Sequence, residues 1–135
     1  MKDMICDLEI AKRLKELGIK QDAYMVYNVV KTVLHKYSTE IPYKLNIRET
    51  DKETATDNTD IYSAFTTIEL LKILPDEISG YRLLMEKDTA GYWERYRLPL
   101  YSKNKKTTAY FIDDKLQNAL GRLLVFLIEE SYMEL

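Results

Sequence analysis

An α+β fold is predicted, with a curved antiparallel sheet of about four or five strands and three helices packed mainly on one face. Three observations predict it. Three segments carry helical periodicity with terminal signals, two apolar runs flank a glycine-ended turn, and residues 24–37 are rich in β-branched and aromatic side chains. The 135 residues suit one domain, 1–135, carrying an exposed polar loop at about 49–60.

The first helix is expected from about residue 8 to 17, capped by Asp7. Ile10, Ala11, Leu14 and Leu17 form its apolar stripe, while Lys12, Arg13, Lys15 and Glu16 stay in water. Gly18 is placed for a left-handed residue just past the helix, which folds Ile19 back on Leu14. Residues 24–37 also fit a helical stripe, but Met25, Val26, Tyr27, Val29 and Val30 favour a strand. A second strand is expected around residues 43–48. From 49 to 60 the chain is polar, with Ala55 as its one apolar residue, and reads as a loop.

Residues 65–75 spell the second helix. Thr66 and Glu69 have capping-box spacing, Phe65 and Leu70 occupy the staple positions, and Pro75 turns Leu74 out of helical geometry. Leu70, Leu71, Ile73 and Leu74 make its buried stripe. A hairpin follows, with strands 81–87 and 92–98 around the turn Asp88-Thr89-Ala90-Gly91. Its core side carries Tyr81, Leu83, Met85, Tyr92, Tyr96 and Leu98, and its other side Arg82, Leu84, Glu86, Trp93, Arg95 and Arg97. A third strand near 107–112 leads into the last helix. That helix is expected to start at Asp113 or Asp114, with Gln117 completing a capping box on Asp114, and to end near Ser131. Gly121 inside it points to close approach of another element, and the wide apolar face is that of a core helix or a partner-binding one.

Composition narrows the function classes. The chain is 46% hydrophobic and 31% charged, as a globular protein is, and its net charge of −2 argues against a general polyanion binder. Cys6 is the single cysteine, which excludes an intramolecular disulfide framework and a cysteine-rich zinc site. Acids stand near the N-terminus where a secretory signal needs an apolar run, and the apolar stretch 123–128 is too short to span a membrane. A cytoplasmic protein without membrane association is therefore expected. Eleven tyrosines suit half-buried sheet faces and interaction surfaces.

Chemical motifs are scarce. Asp51, Glu53, Asp57 and Asp60 lack the alternation, central glycine and final glutamate of a calcium loop. His35 is the one histidine, and a Cys6–His35 dyad competes with a plainer role for Cys6 as a small residue packed under the first helix. Four glycines leave little backbone for a phosphate cradle, and neither a Walker A loop nor a nucleophile elbow is present. No cofactor, metal or catalytic residue is assigned, and the expectation is a non-enzymatic protein. One nucleic-acid face deserves weighing: Arg82, Trp93, Arg95 and Arg97 on the hairpin, with Lys103, Lys105 and Lys106 in the next loop. The competing reading is the wet side of a hairpin, its arginines paired with Glu86 and neighbouring acids.

Three segments carry a resemblance: Cys-Asp-Leu-Glu-Ile-Ala-Lys-Arg-Leu-Lys-Glu-Leu-Gly at 6–18, Tyr-Ser-Ala-Phe-Thr-Thr-Ile-Glu-Leu-Leu-Lys-Ile-Leu-Pro at 62–75, and Leu-Gln-Asn-Ala-Leu-Gly-Arg-Leu-Leu at 116–124. Their order and spacing resemble small uncharacterised proteins of bacterial prophages and mobile elements. The resemblance implies a phage-type accessory protein of the cytoplasm. It carries no catalytic residue over. A protein partner, or self-association through the C-terminal helix, is expected instead from the absent catalytic constellation, the tyrosine excess and the over-apolar last helix. Nucleic-acid binding through the 81–98 hairpin is the alternative.

Overall fold

The computed structural model describes residues 4–30, 43–48, 59–78, 81–88, 91–99 and 106–135. The chain is α+β, as expected. Helix α1 (Leu8–Glu16) is followed by three strands, β1 (Met25–Val30), β2 (Tyr43–Ile47) and β3 (Thr59–Ala64). Helix α2 (Thr67–Ile73) leads to the short β4 (Glu77–Ile78) and β5 (Tyr81–Arg82). Then come β6 (Leu84–Asp88), β7 (Gly91–Pro99), β8 (Lys106–Asp113) and helix α3 (Leu116–Glu129).

Helix α1 ends as its sequence dictates. Gly18 has φ +94°, a conformation that costs a Cβ-bearing residue but not glycine. Gly18 N–H donates to Lys15 C=O and Ile19 N–H to Leu14 C=O, each at 3.0 Å, which are the two bonds of a Schellman motif. Ile19 and Leu14 are both buried. The start of α1 differs from expectation. Asp7 has N-cap backbone geometry, but its side chain makes no capping bond; its carboxylate is drawn to α3 instead.

β1 is the central strand of an antiparallel sheet ordered β2–β1–β3. Strand geometry for Met25 to Val30 and for Tyr43 to Ile47 follows the β-branched and aromatic reading. β3 was not expected. Thr59 and Asp60, assigned to the polar loop, are its first residues, and pairing with Val30 and Val29 holds them there. The rest of that loop, 49–58, lies outside the described residues, as do 31–42 with His35.

The hairpin β6–β7 has Asp88 opposite Gly91, in agreement with the turn position, and β8 pairs with β7 on its other side. Strand 81–87 is not continuous, however. Leu83 N–H donates to Asp76 C=O at 3.3 Å, and Tyr81–Arg82 pairs with Glu77–Ile78 as a separate ribbon. Met85 was placed on the core side and is 50% exposed. The described strands thus form two three-stranded ladders and a ribbon, not one sheet of four or five. α1 packs on β3, whereas α3 packs against β7 and β8, so the helices do not share one sheet face.

The α2 capping box forms as read. Glu69 N–H donates to Thr66 Oγ1 at 3.3 Å and Thr66 N–H donates to Glu69 Oε1 at 3.0 Å. Phe65 and Leu70 are buried, and Leu74 leaves the helix with ψ 135° before Pro75. Leu71 and Ile73 are only half-buried.

α3 begins later than expected. Asp113 Oδ1 accepts from Lys115 N–H at 2.9 Å, forming a local turn, and Lys115 holds the N-cap position without a side-chain cap. Gln117 Nε2 donates to Ile5 C=O at 3.2 Å. The helix then packs against α1, α2, β7 and β8. Leu120, Leu123, Leu124 and Leu127 are fully buried, each burial contributing about 1.5–3 kcal/mol. Gly121 is where α1 comes close, since a Cβ there would lie 2.5 Å from Ile10 Cγ2. α3 is therefore the central core helix.

Candidate functional site

Most of α3 is covered by the elements packed on it, but Val125 and Phe126 remain half-buried. Beside them runs an open groove of about 360 Å³ between α1, α3 and β8. Ile10, Phe111, Val125 and Phe126 supply its apolar surface. Phe126 lies between two rings, 5.5 Å from Phe111 and 6.0 Å from Tyr132 between centroids. Those contacts hold its side chain in place and leave little rotamer freedom to lose on binding.

The rim is charged and internally paired. Arg13 donates to Glu129 at 2.8 Å across the groove and to Glu16 at 3.1 Å along α1. Hydrogen bonds to Glu129 and then Glu16 hold the Arg13 guanidinium above its ordinary range. Arg122 reaches Asp113 at 3.2 Å, tying α3 to the end of β8. Glu9 completes the lining and makes no ion pair among the described residues. Such a rim orients charge and excludes register errors better than it adds affinity, because exposed pairs are worth about 0–1 kcal/mol.

A second cavity, about 350 Å³, opens between Asp7, Leu8, Glu9, Tyr27, Tyr43 and Lys115. Tyr27 donates its hydroxyl to Cys6 C=O at 2.7 Å and meets the Tyr43 ring edge-on at 5.2 Å. Lys115 Nζ reaches Asp7 Oδ1 at 3.5 Å. The groups here serve the joint between the N-terminal segment and α3.

Cys6 is fully buried, and burial pushes its thiol up to about 12. The helix dipole at α1 does not offset that desolvation, so the group stays protonated at neutral pH and is a poor nucleophile. Cys6 is thus packed as a small buried residue, and the His35 of the dyad reading lies outside the described residues. Among the described residues there is no cluster of three or more His, Cys, Asp or Glu placed to hold a metal. Of the four acids weighed as calcium ligands, Asp60 is half-buried in β3, and Asp51, Glu53 and Asp57 lie outside the described residues.

The residues weighed as a basic face fall on three of the described strands. Trp93, Arg95 and Arg97 occupy alternate positions of β7, where Arg95 pairs across to Leu84 and Tyr110 and Arg97 to Thr108. Arg82 belongs to the β4–β5 ribbon, not to β6. Lys106 starts β8 opposite Pro99. Lys103 and Lys105 lie outside the described residues. The groove residues escaped the sequence reading because Phe111, Arg13 and Glu129 are remote in the chain; only the surplus apolar width of the last helix pointed there.

Compared with known proteins, the chain matches no family model, no curated protein and no solved structure. No helix among the described residues is long and apolar enough to cross a membrane.

Proposed function

We propose that this chain is a non-enzymatic protein-binding module, of the accessory kind found on prophages and mobile elements. Its partner presents an extended or helical segment whose apolar side chain enters the groove between α1 and α3. One observation carries the reading. α3 buries Leu120, Leu123, Leu124 and Leu127 completely, yet it leaves Val125 and Phe126 half-buried beside Ile10 and Phe111 in a groove with charged walls. The volume suits one or two apolar side chains and is at the small end of ligand pockets, typically about 300–1,000 Å³. Arg13, Glu129 and Arg122 are engaged with one another or with Asp113, which favours docking over proton transfer.

The test is site-specific photocrosslinking in cells. A benzophenone side chain at Val125 should give one discrete protein adduct, and the same probe at the exposed Lys20 should not. Val125→Glu, in an otherwise folded chain, should abolish binding of the partner so identified. Equal background adducts at both positions defeat the proposal. So does salt-sensitive retention on single-stranded DNA or RNA without a protein adduct, which transfers the function to nucleic acid.

A further inference from the structure

The two edges of the β2–β1–β3 sheet are treated differently. Arg48 N–H donates to Tyr24 C=O at 2.8 Å. On the antiparallel register, Asn46 and Lys44 are then the β2 residues whose main-chain groups turn toward β1, and those of Tyr43, Leu45 and Ile47 turn outward. On β3 the same alternation turns Ile61 and Ser63 outward. Both are met: Lys15 Nζ donates to Ile61 C=O at 2.8 Å, and Ser63 N–H donates to Gln21 Oε1 at 2.8 Å. Side chains from α1 and the segment after it thus engage one outward group of each of these residues. Among the described residues, nothing covers the outward N–H and C=O groups of Leu45 and Ile47.

We propose that β2 pairs antiparallel with β2 of a second copy of this chain, across a two-fold axis at Leu45. An open edge is a template for strand addition, and the residues of β2 select the occupant. With the axis at Leu45, each Leu45 faces its counterpart and Tyr43 faces Ile47 of the other copy. Apolar positions meet apolar positions on the side where Tyr43 and Leu45 already pack against the core. Ile47, 45% exposed in the single chain, gains a tyrosine as cover. On the opposite side the exposed Lys44 faces Asn46. An axis at Lys44 would set lysine against lysine, and like charges directly opposite are destabilising. Of the axes within β2, the one at Leu45 alone pairs every residue of Tyr43–Ile47 with the other copy. The pairing is isologous and therefore closes as a dimer. It uses a different surface from the groove and stands whether or not the groove binds a partner.

Light scattering over a dilution series, coupled to size exclusion, reads the association, and circular dichroism checks each variant's fold. The native chain should pass from monomer to dimer. Asn46→Lys, an exposed change, sets two Lys–Lys pairs across the axis and should raise the dimer Kd by roughly fivefold to tenfold. Adding Lys44→Glu to it makes those pairs attractive and should restore or tighten the dimer. Amide exchange at Leu45 and Ile47 should slow as concentration rises. A chain that stays monomeric at high micromolar concentration overturns the proposal and leaves the edge to another extended segment. A dimer indifferent to both variants overturns it equally, placing the contact elsewhere.

Discussion

Asp7 and Asn118 close a two-bond ring between the N-terminal segment and α3. Asp7 N–H donates to Asn118 Oδ1 at 2.8 Å, and Asn118 Nδ2 donates back to Asp7 Oδ2 at 2.9 Å. Asn118 Nδ2 also approaches Asp113 Oδ1 at 3.5 Å, and Asn118 is almost fully buried. One amide thus joins the start of α1, the start of α3 and the end of β8. Its burial is tolerated because both ends of the amide are bonded.

Replacing Asn118 should therefore cost more than a surface change. Asn118→Ala leaves the Asp7 N–H and carboxylate without this partner and should destabilise by about 2–3 kcal/mol. Asn118→Asp sets a carboxylate against Asp7 and Asp113 and should cost at least as much at neutral pH. Denaturant unfolding measures both. A loss under about 0.5 kcal/mol for either variant would show that the ring is incidental.

Gly121 makes a prediction whose sign separates helix propensity from packing. Alanine should stabilise an exposed helix position by about 1 kcal/mol. Here the new Cβ would meet Ile10 Cγ2 at 2.5 Å, so Gly121→Ala should instead destabilise by about 1–3 kcal/mol. Ile10→Leu removes the branch at Cβ, and the double variant should recover part of the loss. Strict additivity in the unfolding cycle would mean that the two residues do not meet.

Buried acids set the alkaline limit of stability. Burial pushes the Cys6 thiol from 9.0 up to about 12 and raises the Tyr27 hydroxyl above its ordinary 10.0. In the folded chain both keep their protons at a pH where the unfolded chain loses them. Their contribution is complete below the ordinary values and falls as pH rises from about 9 toward 12. Cys6→Ala should flatten that decline while leaving the acid side unchanged. An identical slope in the two proteins, followed by chemical denaturation, contradicts the assignment. At neutral pH the Cys6 thiol should react with a disulfide reagent only as fast as the chain opens.

Local signals were legible where one turn of chain holds all the partners. The Gly18–Ile19 helix end and the Thr66–Glu69 box each close within a few residues, and both form as read. The hairpin turn between Asp88 and Gly91 is of the same kind. What failed was long-range. Asp7 and Asp114 both looked like helix caps, yet Asp7 is taken by Asn118, and α3 starts beyond Asp114 because Asp113 bonds Lys115. Thr59 and Asp60 looked like loop because their strand geometry comes from β1, not from their own propensity.

The amino-acid order by itself determined the α+β class, the three helices with two of their ends, and the strand character of β1, β2 and the hairpin. Those features rest on periodicity and on hydrogen bonds between near neighbours. Tertiary structure alone decided that the strands divide into separate ladders, that Lys15 and Gln21 engage one edge of the first sheet, and that α1 and α3 leave a groove between them. Each of these depends on pairing between segments far apart in the chain. No local pattern encodes which remote strand, edge or helix supplies the partner.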